Sequence, residues 1–564
     1  MARCSVARVV LGGACVVAGT LVGALPSPAH SAGAVLPPMS VARAQYFKLH
    51  GDAYARFLAH LPQRPADRAV ATEHRAQPAA GGTWQAVSKG TAGLCNPLLL
   101  TDGTVIAHNC DTPYWYKLTP DTAGNYADGT WSQIASLPVI GGTQYAPQYH
   151  ASAVLPDGRV IVMGGEYNGS NAGVWTNLGA IYNPLTNVWA AVTAPSGSSW
   201  TEIGDAQSVV LANGTYMLAS CCAYPDANAL LDATTLTWTA TGAPAAGFSY
   251  QDEQGYELLP STNVLTVDIW TNYPSDGATN AELYSASSGS WAPTGSTPVP
   301  LPDPCGTYEI GPAALRGDGS VVAFGGNSGC NGVTADPVAV YTSMTGLWAA
   351  APNVPSVCGS NGTTGCDLAD APAAVMPNGK ILFAASSGYG GVPTHFFELG
   401  RGNAIVQVSD PVYNASSSGA YYYNFLVLPN GQILMTDFSA YAEVYTPAGA
   451  PVASYAPNTI KVPATVTPGG RYQVTGYQLN GLTQGAYYGD DVQAATNYPI
   501  VRITNVASGH VVYAVTSSFT SMSVAPGVHS GAKFTVPAAT EAGASTLVVI
   551  ASGLASQPVS ITVD

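Results

Sequence analysis

Charge is what this chain has least of. Only 9% of its 564 residues are Asp, Glu, Lys or Arg, and just 18 are basic. The few charges are also lopsided. Residues 1–80 hold eight Lys or Arg against three acidic residues, whereas residues 81–564 hold ten against thirty, a difference of −20. Such a body repels phosphodiester backbones and anionic lipid, which argues against nucleic acid and membrane surfaces as partners, although the same excess also serves solubility. Nine histidines are present, and they form no His/Cys cluster of metal-ligand spacing. A phosphate-binding glycine loop and a Ser-His-Asp order are missing too. Beyond residue 25 no apolar run is long enough to cross a bilayer.

What is abundant is glycine (62), proline (42) and aromatic side chains, with Val, Ile, Leu and Tyr recurring throughout. That mixture predicts an all-β fold rich in turns and argues against disorder. Residues 1–32 are expected to be a signal peptide: Arg3 and Arg8 form the charged part, Val9 to Leu25 the apolar part, and Ala29-His30-Ser31-Ala32 a small-residue cleavage site. The protein is therefore expected to be secreted and extracellular, where disulfides form. Cys4 and Cys15 leave with the signal, and eight cysteines remain. Cys95 and Cys110 flank the Asp102-Gly103 turn and should face each other across a hairpin. Cys358 with Cys366 would close a short loop, Cys305 with Cys330 another hairpin base, and Cys221-Cys222 would remain as a vicinal pair. Residues 33–80 are read as a pro-region or linker.

From residue 81 a pattern repeats. Tyr149 to Gly165 reads as a strand, a turn at Asp157-Gly158, a second strand and a Gly-Gly end. The corresponding turn pairs are Asp102-Gly103, Asn213-Gly214, Thr262-Asn263, Asp318-Gly319, Asn378-Gly379 and Asn430-Gly431. Their spacing of about 50–60 residues is that of propeller blades. An aromatic third strand follows most of them (Tyr182, Tyr284, Tyr341, Phe397, Tyr445), and a Trp marks the fourth (Trp131, Trp189, Trp238, Trp291, Trp348). The seventh repeat lacks that Trp. Thr83 to Val87 looks like a stray fourth strand that would complete the last blade and close the ring. Residues 81–456 are thus expected to be a seven-bladed kelch β-propeller. Short alternating strands over 457–564 predict an immunoglobulin-like β-sandwich.

The hairpin motif, its sevenfold use and the C-terminal stretch GYQLNGLTQGAYYGDD…NYPIVRITN from Gly476 resemble secreted bacterial kelch-repeat proteins of the galactose oxidase and glyoxal oxidase superfamily, with its "early set" C-terminal domain. The likeness covers residues 81–564. It implies a copper held by two Tyr and two His, one Tyr cross-linked to a Cys. Cys95 and Tyr149 match the cross-linked pair, and Tyr421 matches the axial Tyr. The His that should follow is Tyr422, however, and around Ser517-Ser518-Phe519, where the second His is sought, none stands. A site without both nitrogen ligands binds Cu(II) poorly. No resident cofactor or metal is therefore expected, copper being what the resemblance alone would supply.

In this fold the first strand of each blade lines the channel. Eight or nine residues before each turn stand Leu94, Tyr149, Asp205, Gln254, Glu309, Asp370 and Tyr422, with Asp252 and Glu253 beside Gln254. The second strands end with Asp268, Trp270 and Asp437. This predicts an acidic rim in which Asp205, Glu309, Asp370 and Glu253 are candidate catalytic residues, with Tyr149, His150, Trp270, Tyr421 and Tyr422 as substrate-binding surfaces. Carboxylates beside aromatic rings suit sugar hydroxyls and acid–base work on a glycosidic bond. The same carboxylates could equally bond backbone N–H groups and hold the ring together. Three readings stay open: a carbohydrate-active hydrolase or lyase, a copper-radical oxidase of sugars, alcohols or aldehydes, and a non-catalytic glycan- or protein-binding matrix protein. The protein is expected to act as a monomer.

Overall fold

Seven short turns set the architecture. In blade II, the Leu155 carbonyl accepts the Gly158 N–H at 2.8 Å, and the Leu155 N–H donates to the Arg159 carbonyl at 2.8 Å. The same pair of bonds recurs at Leu100, Leu211, Leu259, Arg316, Met376 and Leu428. The turn needs one left-handed residue, which glycine takes without steric cost, and Gly103, Gly158, Gly214, Gly319, Gly379 and Gly431 have φ between 75° and 88°. The preceding Asp or Asn side chain then accepts the backbone N–H two residues on, as Asp157 does from Arg159 at 3.0 Å and Asn213 from Thr215 at 3.0 Å. Blade IV departs from the expected register. Its left-handed residue is Thr262 (φ 72°), so the equivalent pair is Ser261-Thr262, not Thr262-Asn263.

The structure is a computed structural model. It describes residues 81–564 except 89, 91–92, 170–174, 222–225, 245–250, 270–278, 304–308, 328–335, 356–357, 359–364, 389 and 490–492. The expected signal peptide, the 33–80 segment, Trp270, Cys222, Cys305, Cys330 and Asp490-Asp491 lie outside the described residues. The described secondary structure is all β apart from three single-turn 3-10 segments.

Each turn joins the inner two strands of a four-stranded antiparallel blade. Blade I is Cys95–Leu99, Val105–His108, Trp115–Thr119 and Thr130–Gln133, and blade II is Ala151–Val154, Val160–Met163, Gly179–Asn183 and Val188–Ala191. Blades III to VI follow in the same order, with first strands Ser208–Val210, Glu257–Leu258, Ala313–Leu315 and Ala373–Val375. Blade VII takes Asn424–Val427, Ile433–Thr436 and Glu443–Thr446 from the end of the propeller and Thr83–Ala86 from its start. The ring therefore closes as expected, and no blade edge is left at the joint.

Closure also accounts for the missing tryptophan. In blades II, IV and V a third-strand Tyr lies directly opposite a fourth-strand Trp: Tyr182 and Trp189, Tyr284 and Trp291, Tyr341 and Trp348, with ring centroids 5.0–5.4 Å apart. In blade VII, Trp84 takes that place opposite Tyr445 at 4.9 Å. In blades VII, I, II and III the indole N–H ties the blade to its predecessor. Trp84 donates to the Ser409 carbonyl at 2.6 Å, Trp131 to Ser88 at 3.0 Å, Trp189 to Ala135 at 3.0 Å and Trp238 to Thr193 at 2.7 Å.

From Asn458 onward the strands form one nine-stranded mixed sheet that curls on itself. Val511–Ser517 pairs with both halves, so the expected sandwich is realised as a continuous curled sheet. Val474, Val501, Ile503, Phe534, Leu547 and Val549 fill its interior. One segment leaves this sheet and enters the propeller. Ala486–Tyr487 pairs antiparallel with Ala373–Val375, the innermost strand of blade VI, and also contacts the first strands of blades V and VII.

Candidate functional site at the channel axis

The first strands bring their starting residues together around the inserted segment. Gly489 marks the meeting point. A Cβ there would lie 3.1 Å from the Ile310 carbonyl and 3.2 Å from Asp370 Oδ1, and the Gly489 carbonyl itself lies against Gly255. Blades IV, V and VI thus converge on this residue, and there the carboxyl groups of Glu253, Glu309 and Asp370 meet. One oxygen of each lies within 4.8 Å of the others, and all three side chains are buried. Shifting the blade IV turn by one residue explains why Glu253 and not Gln254 occupies this position. Tyr149, Glu253 and Asp370 also share a left-handed backbone, with φ of 50°, 63° and 55°. Non-glycine residues adopt that conformation only where the surroundings hold them.

Other expected members of the rim fall elsewhere. Asp205 is not part of this trio; it belongs to a second group with Asp252 and the disulfide-bonded Cys221. The step from blade III to blade IV separates the two groups by a single residue, Asp252 against Glu253. Gln254 donates its amide to Asp268 Oδ1 at 3.0 Å. Asp437 accepts from the Asn414 amide and the Ser439 hydroxyl, both at 2.6 Å, which gives it a framework role. Nor do these groups form an exposed rim. Tyr149, Asp205, Glu253, Glu309, Asp370, Tyr421 and Tyr422 are each no more than 3% exposed.

Three of the aromatic residues named from the sequence, Tyr149, Tyr421 and Tyr422, lie around Phe438. Tyr421 and Tyr422 lie 4.4 Å apart, Tyr422 meets Phe438 at 5.9 Å, and Phe438 meets Tyr149 at 6.1 Å. Tyr488 from the inserted segment donates to the Tyr421 carbonyl at 3.0 Å. Sequence reasoning missed this segment. It sought the C-terminal contribution around Ser517-Ser518-Phe519, but Phe519 bonds the Pro156 carbonyl and Thr516 the Thr101 carbonyl. Those contacts are at the hairpin turns, the opposite end of the first strands. The signal that could have pointed to the right place was Gly485 and Gly489 flanking Tyr487-Tyr488.

A further acidic group adjoins the trio. Asp367, three residues before Asp370, has its pKa pushed up to about 7 by burial and then by the charges of Asp303 and Glu309. Asp336 is raised as well, by burial and then by Asp367. Carboxyls in this region therefore hold protons well above the usual carboxylate range.

His150 is not a rim residue. It is fully buried, with Nε2 3.2 Å from Nδ1 of His108 and the Asn96 amide within 3.3–3.4 Å of its ring nitrogens. Burial lowers its pKa to about 4. The expected Cys95–Cys110 and Cys358–Cys366 disulfides are present. With Cys95 joined to Cys110, a thioether to Tyr149 is not formed. Tyr422 stands where a His would follow Tyr421, and the inserted segment presents Tyr487, Tyr488 and Gly489. These donors do not fit a copper-radical centre.

No protein-family model matches the chain, and no curated protein does. Among solved structures it is similar to a fungal alcohol oxidase of the AA5 family determined in complex with copper. That match has 12% identity and a TM-score of 0.44, and it covers 86% of this chain and 99% of the other.

Proposed function

We propose that this is an extracellular propeller, acting as a monomer, that binds and processes a small carbohydrate at the axial carboxyl trio, without copper-radical chemistry. One observation supports this reading above the rest: Glu253, Glu309 and Asp370 from three consecutive blades place carboxyl oxygens within 4.8 Å of one another, away from water. Carboxyl groups gathered this closely could supply the acid and the base that glycosidic cleavage needs. Two disulfides suit an oxidising compartment.

The test is a glycan-binding and sugar-release screen with the whole protein and with Glu253→Gln, Glu309→Gln and Asp370→Asn. Loss of binding or turnover with the melting temperature within a few degrees supports the reading. Turnover lost but binding kept points to catalysis. Variants that melt early yet keep full activity would show the trio to be scaffold. The oxidase reading is checked separately: copper-treated protein should release no hydrogen peroxide from galactose, glyoxal or simple alcohols. Stoichiometric copper with peroxide release would restore that reading.

A further inference from the structure

Away from the axial trio, the joint between blades I and II is built on two histidines. His108 ends the second strand of blade I, and His150 stands just before the first strand of blade II. Both are fully buried, and Nε2 of His150 lies 3.2 Å from Nδ1 of His108.

The hydrogens on these rings follow from their partners. The Thr112 carbonyl can only accept, so His108 Nε2, 2.7 Å from it, carries a hydrogen. In a neutral ring that leaves His108 Nδ1 as an acceptor, and the hydrogen it accepts comes from His150 Nε2. His150 Nδ1 is then an acceptor too, and the Asn96 amide, 3.4 Å away, donates to it. Asn96 is fixed in turn. Its backbone N–H donates to Asn424 Oδ1 at 2.9 Å, and its side chain reaches the Ser152 hydroxyl at 3.3 Å. Trp115 stacks on the His108 ring at 4.6 Å and an interplanar angle of 12°, which sets its plane. One directed chain, Asn96 to His150 to His108 to Thr112, thus runs from blade I into blade II and back.

We propose that this chain is an acid-opened latch between blades I and II, closed while both imidazoles are neutral. A proton added to His108 Nδ1 sets two N–H groups against each other. One added to His150 Nδ1 meets the Asn96 amide unless that amide turns over. In both cases a charge stands away from water with no carboxylate to pair it, which is costly. The titratable groups nearest on the packed elements are Asp111, Tyr116, Lys117, Tyr149 and Glu166, and none of them acts on either ring. Burial holds His150 down at about 4, and burial followed by the neighbouring His150 holds His108 well below its ordinary 6.5. The closed joint therefore refuses protons that the opened joint accepts near pH 6.5. The latch holds fully above that pH and weakens as pH falls toward about 4. Each ring that gains a proton on opening makes opening about tenfold more frequent per pH unit in that window. Tyr149, next to His150, is held in a left-handed backbone with φ 50° and packs on Phe438, so opening frees a member of that aromatic group. The latch does not depend on what the trio binds.

The experiment follows hydrogen exchange of the full chain by mass spectrometry from pH 7 to pH 4, corrected for the intrinsic exchange rate at each pH. Peptides spanning 95–115 and 148–155 should lose protection by about tenfold or more per unit through the window, whereas peptides of blade V over 313–324 should not. In His150→Gln the new amide can still donate to His108 and accept from Asn96, so the slope should lessen. In His108→Gln/His150→Gln it should level. If these variants do not fold, ¹⁵N-histidine spectra of the parent decide. Two rings should remain neutral Nε2–H tautomers at pH 5, after the exposed rings have titrated. A spectrum in which every ring has titrated by pH 5, a slope equal in blades I and V, or a slope unchanged in the folded double variant would each overturn the proposal.

Discussion

Burying an acid inside a fold changes which of its forms the fold prefers. Asp367 and Glu443 both have pKa values pushed up to about 7, by burial first in each case. Both carboxyls accept backbone hydrogen bonds: Asp367 Oδ1 from Asn327 and Ala369, and Glu443 from Val412 and Tyr413 at 2.8 and 2.9 Å. These bonds pull the pKa down without overcoming desolvation. The folded protein thus holds these protons more tightly than the unfolded chain, where the ordinary values are 3.8 and 4.5. Stability from these groups is therefore fully present at acid pH, below the unfolded values. It falls as pH rises from about 4 to about 7 and is level above that. Each tenfold change in proton affinity is worth about 1.4 kcal/mol. Asp367→Asn and Glu443→Gln remove the titration and keep most of the bonding. Each should flatten the fall in melting temperature between pH 4 and 7 and melt higher than the parent at pH 8. A variant whose pH profile overlays that of the parent would show that the group does not titrate in this range.

The elements were the most legible part of the molecule, because their chemistry is local. An Asp or Asn followed by Gly between apolar runs identified six of seven turns correctly, since a left-handed glycine and a side-chain bond to the next strand are both written in adjacent residues. The seventh was misplaced by one residue because Thr262 takes the left-handed position that glycine takes elsewhere, and nothing in Ser261-Thr262-Asn263 announces it. That substitution makes a reciprocal prediction. A β-branched residue in this conformation is strained by about 1–2 kcal/mol, so Thr262→Gly should raise the melting temperature, the gain being reduced by the freedom glycine adds to the unfolded chain. Gly319→Ala in blade V should do the reverse. Its added methyl would have ordinary room, with Pro260 3.6 Å away, so the cost is conformational, about 1 kcal/mol. Thermal melts of the two single variants decide the matter; shifts of the same sign would contradict the turn assignment. The fourth-strand Trp pattern was legible for a similar reason, and the missing seventh was supplied by Trp84 once the chain closed on itself.

The whole molecule carries what local patterns do not encode. What local patterns leave out is one long-range event: Gln484 to Gly489, and Tyr498 further on, pack against the propeller's blades. Nothing in the alternation of that stretch says which cavity it fills, because its partners are hundreds of residues away. Gln484 Oε1 accepts the Leu258 N–H at 2.7 Å, the Gly485 carbonyl accepts the Val375 N–H at 2.8 Å, Tyr488 bonds the Tyr421 carbonyl and Tyr498 the Leu99 carbonyl. Blades I, IV, VI and VII are thus tied through one segment, while Thr83–Ala86 ties the two ends of the ring. The four axial bonds at about 1 kcal/mol each, with the burial of Tyr487 and Tyr498 added, amount to a large share of the margin by which an ordinary domain stays folded. A chain of residues 81–456 should therefore unfold at a markedly lower temperature than one of 81–564, expose its channel wall to a hydrophobic dye, and lose any ligand binding seen at the trio. The full chain should melt in a single transition by both near-ultraviolet circular dichroism and calorimetry, because propeller and curled sheet share the segment. If the shorter chain melts at the same temperature, or the full chain shows two separate transitions, the inserted segment is a passenger and the propeller holds its axis alone.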